Sequence, residues 1–404
     1  MTLLGGVLSI KAVTFLMFSV FVIAALGYIL GRFTIKGVNL GTAGVFIIAL
    51  LYGCFFYPTL SAEMTQSDIS YVTNALKIVE NMGLILFVTS VGFIAGPGFF
   101  GNFKKNFKSY VALGLIIILA GGLACVACIM IGRNFTDLTN SEFTAMMVGL
   151  FAGSLTSTPA FSAAKGTVAA ELESIVSVGY GIAYLFGVIG VVLFVQLIPK
   201  ILKADMDEER SKLISAGGSS SKKTAEGLIE MDDFGLMPFA LAVVLGLIVG
   251  CFKFGNFSLT TTGGCLLVSL VFGHFGRIGK INIMPDGKTL KVFREFGLML
   301  FLIGAGVSGG AKFVQYFDPI YFLYGAIMTI VPMIIGFLFA KYVLKISLLN
   351  NLGSITGGMT STPALGTLIH VAKTEDVAAA YAATYPIALI SVVLVAQFVI
   401  ILFS

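Results

Sequence analysis

The residues best suited to do chemistry are hydroxyls set beside prolines. Thr156-Ser157-Thr158-Pro159-Ala160 recurs unchanged as Thr360-Ser361-Thr362-Pro363-Ala364. Small residues precede each copy, Gly153-Ser154 in one and Gly357-Gly358 in the other. Proline has no backbone N–H and suits the first turn of a helix. A half-helix starting at Pro159 or Pro363 turns its free N–H groups, carrying about half a positive charge, toward whatever lies beside the hydroxyls. Two such tips meeting from opposite faces near a membrane midplane form an anion site. Such a site holds one or two carboxylates with hydroxyls and helix ends rather than buried cations, and freed carbonyls can meet an ammonium group. The competing reading is local bonding of each hydroxyl to its own helix. An identical pair in equivalent positions favours the site. All the residues named so far, apart from the two alanines, are therefore candidate substrate ligands. No residue is assigned a catalytic, metal or cofactor role.

The elements that must position them are membrane helices. The chain has 404 residues, of which 25 are Lys or Arg and 20 are Asp or Glu. It is 11% charged and 57% hydrophobic, where an ordinary soluble domain is about one quarter charged. A water-soluble globule, a disordered chain, a disulfide scaffold and a nucleic-acid binder are excluded. The net charge of +5 reflects Lys and Arg gathered on the cytoplasmic side. Breaking the chain at every charge leaves twelve uncharged runs: 12–31, 37–62, 81–103, 109–132, 143–164, 174–199, 234–252, 254–276, 296–311, 319–340, 346–372 and 377–404. All but 296–311, which Phe293 extends, are long enough to cross a hydrocarbon core of about 30 Å as helix. The first run could pass for a secretory signal, but a second copy of that segment lies at 236–252, where no signal can be. Cys125 and Cys128 form a CxxC with no second pair or nearby His, so they read as packing residues.

The hydrophilic stretch 200–233 divides an N-terminal transmembrane repeat, 1–199, from a C-terminal one, 234–404. Six uncharged runs lie on each side of it. The Thr-Ser-Thr-Pro motif falls in the fifth run of each half. In the third runs, Gly83-Leu84-Ile85-Leu86-Phe87 echoes Gly297-Leu298-Met299-Leu300-Phe301, and Gly92 and Gly96 match Gly306 and Gly310. Tyr180 and Tyr184 match Tyr381 and Tyr385 in the sixth.

If each fifth run is a re-entrant hairpin, each half crosses five times and the halves are inverted. With both termini outside, 19 Lys and Arg then fall inside and 6 outside, a better positive-inside split than parallel repeats give. Gly and Pro also make the fifth runs poor continuous helices, and such backbone at depth needs protein or a water-filled cavity around it. A fully crossing but broken helix is the rival. The expected fold is an all-α polytopic membrane protein: two inverted repeats of five transmembrane helices plus one re-entrant hairpin each, with 200–233 a cytoplasmic linker. The third, fifth and sixth runs are expected to form a mobile domain against the first, second and fourth.

Further candidates are Thr89 and Ser90 in the third run, Lys165, which reaches an anion or snorkels at the hairpin end, and Tyr184 and Tyr385, which line the site or pack. His274 reads as interfacial, and His370 as a rim residue with a proton relay as the alternative. No Asp or Glu lies inside a run, so a relay through deeply buried carboxylates is not evident.

The third segments, Gly83 to Phe100 and Gly297 to Gly310, together with the two Thr-x-Thr-Pro-Ala motifs, resemble the aspartate–alanine exchanger family of bacterial secondary transporters. The resemblance covers most of both halves. It implies an inner-membrane antiporter of small anionic or zwitterionic solutes, amino acids such as aspartate and alanine or dicarboxylates such as succinate. The wider fold is similar to carriers that work as dimeric elevators, which implies a homodimer in membrane lipid. Many members carry a soluble domain between the halves, and 200–233 is too short for one. Positions 88–92, Val-Thr-Ser-Val-Gly, lack the charge found near the third segment in better-known members. An ion-coupled (sodium or proton) symporter and an anion channel are the alternatives. An enzyme would need His, Cys or acids clustered at depth.

Overall fold

The computed structural model describes residues 2–3, 8–9, 11–35, 38–39, 42–66, 69–101, 107–214, 229–254, 257–258, 260–374 and 376–404. Residues 215–228 of the expected flexible linker, including Gly217 to Lys223, lie outside the described residues.

The chain is helical almost throughout. The first half runs α1 (Ala12–Gly31), α2 (Ala43–Glu63), α3 (Val72–Gly101), α4 (Phe107–Gly132), α5 (Asn140–Ser154), α6 (Thr158–Thr167) and α7 (Glu173–Ile201). A short polar helix, α8 (Met206–Ile214), follows. The second half runs α9 (Leu236–Gly250), α10 (Thr260–Phe275), α11 (Gly287–Tyr316), α12 (Ile320–Leu338), α13 (Leu348–Gly358), α14 (Thr362–Ala372) and α15 (Val377–Phe403). Among the described residues the β structure consists of two-residue antiparallel ribbons in connections, such as Arg277–Ile278 with Ile281–Asn282, and a parallel bridge from Ile229 to Ile281. Helices dominate because a backbone in hydrocarbon must satisfy its own polar groups.

Among the described residues, eight helices are long and apolar enough to cross a membrane; α9 and α10 are apolar but shorter. Large apolar side chains such as Phe21, Phe55, Leu123 and Leu402 stand exposed on the outer faces. Each fifth run is split in two, α5 with α6 and α13 with α14.

Glycine contacts give the helix directions. The Met146 carbonyl lies against Gly179, the Tyr180 carbonyl against Gly153, and the Gly153 carbonyl against Gly187. Numbers rise together, so α5 and α7 run the same way, and α6 returns to the level where α5 began. Gly353 likewise faces Val377 and Tyr381, and Gly357 faces Tyr381 and Tyr385, so α13 and α15 are also parallel. A broken helix crossing completely would have left α5 antiparallel to α7.

Equivalent helices meet each other. A Cβ built on Gly83 would come within 2.6 Å of the Gly297 carbonyl oxygen, and one on Gly297 within 2.6 Å of that of Gly83. Glu80 sits against Gly304 and Phe87 against Gly297, so α3 and α11 cross antiparallel at these glycines. Helices α4 and α12 pair the same way, Ile117 against Gly336 and Gly132 against Tyr324.

Two bodies result. One packs α1, α2 and α3 with α9, α10 and α11; the other packs α4 to α7 with α12 to α15. This corrects the sequence expectation. The third helix belongs with the first and second, and the fourth belongs with the split helices and the sixth. Charge spacing locates helices along the chain but carries no signal about which glycine-lined faces fit together.

Helix α8 braces the second split helix from both ends. A Glu209 carboxylate oxygen accepts from the Leu348 N–H at 2.9 Å, and the Arg210 guanidinium donates to the Ala372 carbonyl at 3.1 Å. It thus satisfies one of the unpaired groups at the start of α13 and one near the end of α14.

Candidate functional site

The backbone makes the same turn at the start of both Thr-Ser-Thr-Pro segments. Thr156 follows α5 in the left-handed region, φ 52°, and Thr360 follows α13 at φ 49°. The Thr156 and Ser157 N–H groups bond back to the Gly153 and Ala152 carbonyls; those of Thr360 and Ser361 bond back to Gly357 and Thr356. This is the Schellman arrangement, usually completed by glycine. A β-branched residue there costs ~1 kcal/mol or more, and such strain persists only where the surroundings impose it.

Those surroundings are the opposite tip. The Thr156 hydroxyl donates to the Met359 carbonyl at 3.0 Å, and the Thr360 hydroxyl donates to the Leu155 carbonyl at 2.8 Å. The hydroxyls thereby satisfy carbonyls that the ends of α5 and α13 leave without helical partners. Beyond each tip a new helix starts. Ser157 caps α6 by accepting from the Ala160 N–H at 3.3 Å, and Pro159 sits in its first turn.

A cavity of about 860 Å³ opens on the crossed tips, between the two bodies. Thr156, Thr158, Pro159 and Thr360 line it, with Tyr184, Tyr381 and Tyr385 beside them. The opposing body contributes Tyr28, Arg32, Thr42, Phe87, Val91, Arg294 and Glu295. Arg294 and Glu295 form an ion pair at 2.7 Å, both part-exposed toward solvent. The site thus offers hydroxyls and helix N-termini on one wall, and two guanidiniums and one carboxylate on the other.

Other sequence candidates lie elsewhere. Ser157 and Ser361 are fully buried and do not line the cavity. The backbone of Thr362 and Pro363 opens α14, but their side chains lie outside the described residues, as does that of His370. Gly153 and Gly357 let α7 and α15 approach, Gly358 packs on Ile117, and the Ser154 hydroxyl donates to the Gly325 carbonyl at 3.0 Å. Thr89 and Ser90 are buried away from the cavity, and Ser90 bonds back to the Leu86 carbonyl.

Lys165 neither snorkels nor reaches the cavity. Its ammonium meets the Glu80 carboxylate at 2.6 Å, with both side chains buried. Glu80 ends the loop-side charge pattern in the sequence, and nothing in that pattern reveals that α6 turns back to bring Lys165 beside it.

The sequence reading missed Arg32, Arg294 and Glu295. Each is a charge at the edge of an uncharged run, which hydropathy assigns to the membrane surface. The signal available was their nearness to Tyr28 and Leu298 on the same helices. The expectation is of a site without buried cations, and the two guanidiniums stand at the cavity's rim, exposed at Arg32 and half-buried at Arg294.

Comparison with known proteins points to a membrane transporter. The Asp-Al_Ex family model, described as a predicted permease membrane region, matches residues 19–200 and 238–401. An uncharacterized transporter of Bacteroides fragilis is 28% identical across 94% of this chain and 97% of its own length. One from Rhodopirellula baltica is 24% identical over 94% of this chain and 98% of itself. One from Geobacter sulfurreducens reaches 35% identity over 50% of this chain and 34% of itself.

Proposed function

The chain belongs to the aspartate–alanine exchanger family of predicted permeases, and from that premise we propose that it is a secondary carrier exchanging small carboxylate-bearing solutes across a bacterial inner membrane. Amino acids such as aspartate and alanine, or dicarboxylates such as succinate, fit its chemistry. The observation that carries this reading is the cavity floored by the crossed tips, Thr156 on Met359 and Thr360 on Leu155, and faced by Arg32 and Arg294. A solute carboxylate sits between the guanidiniums and the start of α6 with its Thr158 hydroxyl, because the Thr156 and Thr360 hydroxyls already give their hydrogens to carbonyls, and Glu295 meets an ammonium group.

The same reading takes the split helices as re-entrant hairpins and the halves as inverted repeats. Its support is the parallel run of α5 with α7 and of α13 with α15, and the antiparallel pairing of α3 with α11. Ten crossings with both termini outside put Arg32, Arg294 and α8 in the cytoplasm, so the cavity opens inward. Lys77, Glu142, Glu173 and Lys312 then face outside. The body carrying both hairpins moves against the other in an elevator step, and the family's likeness to dimeric elevators supports a homodimer.

Proteoliposomes loaded with one solute and given another, labelled, test the proposal. Uptake of labelled aspartate, alanine or succinate that depends on internal solute, without an imposed ion gradient, is the expected result. Uptake that requires a sodium or proton gradient favours a symporter, and conductance far above carrier turnover favours a channel.

A further inference from the structure

The two ends of the molecule differ between the repeats: one is bridged across the two bodies and the other stands open as the cavity. In the register that pairs Gly83 with Gly297, Glu80 corresponds to Arg294. In the register that pairs Thr156 with Thr360, Phe161, Ser162 and Lys165 correspond to Leu365, Gly366 and Ile369. Arg294 and Leu365 line the open cavity, and Gly366 has nothing within 4 Å of a Cβ.

On the opposite side every counterpart is engaged across the two bodies. Lys165 of α6 meets Glu80 of α3 at 2.6 Å. Ser162 and Thr262 share a buried hydrogen bond at 2.7 Å. The Phe161 ring stacks on Tyr180 at 4.0 Å and abuts Phe301 of the other body at 5.4 Å. The Lys165 ammonium also lies 5.8 Å from the Phe161 ring centroid.

We infer that the buried Glu80–Lys165 pair is the latch of the outer gate, joining the hairpin-bearing body to the other body only while that end is shut. The inference rests on the alternating-access reading above. A buried pair is held by its own geometry, and either charge left alone in the interface demands water. Sliding the bodies apart must separate the pair, and the charges are then met by water entering from outside. At the equivalent positions of the inner end the same pair cannot form, because Ile369 stands where Lys165 does and Arg294 turns to its neighbour Glu295. The latch therefore biases the empty carrier toward the inward-open arrangement.

The test is thiol labelling of Ser162→Cys, in a chain whose five native cysteines are replaced, by a membrane-impermeant maleimide applied from outside. The parent should label slowly. Glu80→Gln or Lys165→Met alone should raise the rate by about tenfold or more, because each strands one charge. The double variant, with neither charge, should return to the slow rate. No rise in the single variants, or a rise the double variant fails to reverse, overturns the latch. If the single variants do not fold, the swapped pair Glu80→Lys with Lys165→Glu decides: slow labelling upholds the latch, while fast labelling or failure to fold overturns it. Labelling as expected in a protein that exchanges none of the solutes leaves the latch standing and refutes the substrate reading instead.

Discussion

Thr156 and Thr360 each give their hydroxyl hydrogen to the end of the other's hairpin, to the carbonyls of Met359 and Leu155 at 3.0 and 2.8 Å. The exchange holds two left-handed threonines in place where one half of the chain meets the other. It also joins the ends of α5 and α13 at the cavity floor.

Replacing either threonine by valine keeps the shape and strands a buried carbonyl. The expected cost is about 1–3 kcal/mol of stability, read as a lower melting temperature in detergent, together with slower exchange in proteoliposomes. Thr156→Ser and Thr360→Ser keep the donor and should stay close to the parent. Equal behaviour of the valine and serine variants would refute the role given to these hydroxyls.

Arg294 and Arg32 face the tips across the cavity. Arg294→Gln or Arg32→Gln should raise the solute concentration for half-maximal exchange about tenfold, the equivalent of one lost contact of about 1.4 kcal/mol. Because both groups reach solvent, added salt should weaken uptake in the parent more than in the variants. An unchanged concentration dependence in both variants removes the guanidiniums from the site.

Hairpin topology predicts which ends share a side. Asn140 and Ala169 flank α5 and α6 and are exposed. As single cysteines they should both label from outside, while Lys345→Cys and Lys373→Cys label from inside. Labelling of Asn140→Cys and Ala169→Cys from opposite sides would establish a crossing helix.

Gly83 and Gly297 are placed where each blocks a side chain on the other, with 2.6 Å to a carbonyl oxygen. Gly83→Ala and Gly297→Ala should each cost about 1–3 kcal/mol by overpacking. Thermal melting measures this, and a melting temperature unchanged in both variants would mean that the crossing is looser than described.

Helix α8 offers a further check. Glu209→Gln with Arg210→Ala removes both charged bonds to the ends of the second hairpin. Charge-assisted bonds that are partly exposed contribute about 1–2 kcal/mol together. Faster hydrogen exchange across 348–372 is the expected readout. Exchange unchanged there would show that the hairpin base is fixed by packing alone.

Much of this was legible in one dimension. Charges are too costly to strand in hydrocarbon, so the gaps between them marked the helices. The repeated Thr-Ser-Thr-Pro motif marked both breaks, because proline writes a helix start into local sequence, whereas the left-handed turns at Thr156 and Thr360 have no glycine to announce them. Tyr184 and Tyr385, matched across the halves, do line the cavity.

What only the tertiary structure decided is which helix faces which. The partition of α3 from α4 depends on glycine faces that fit at 2.6 Å, and hydropathy is blind to fit. The Glu80–Lys165 pair joins residues 85 positions apart, brought together only because α6 doubles back. The arginines at the cavity rim looked like surface charges because a helix end beside water reads the same whether that water is bulk or a cavity between two bodies. Local chemistry fixes where a chain must turn; long-range packing decides what the turn is brought to meet.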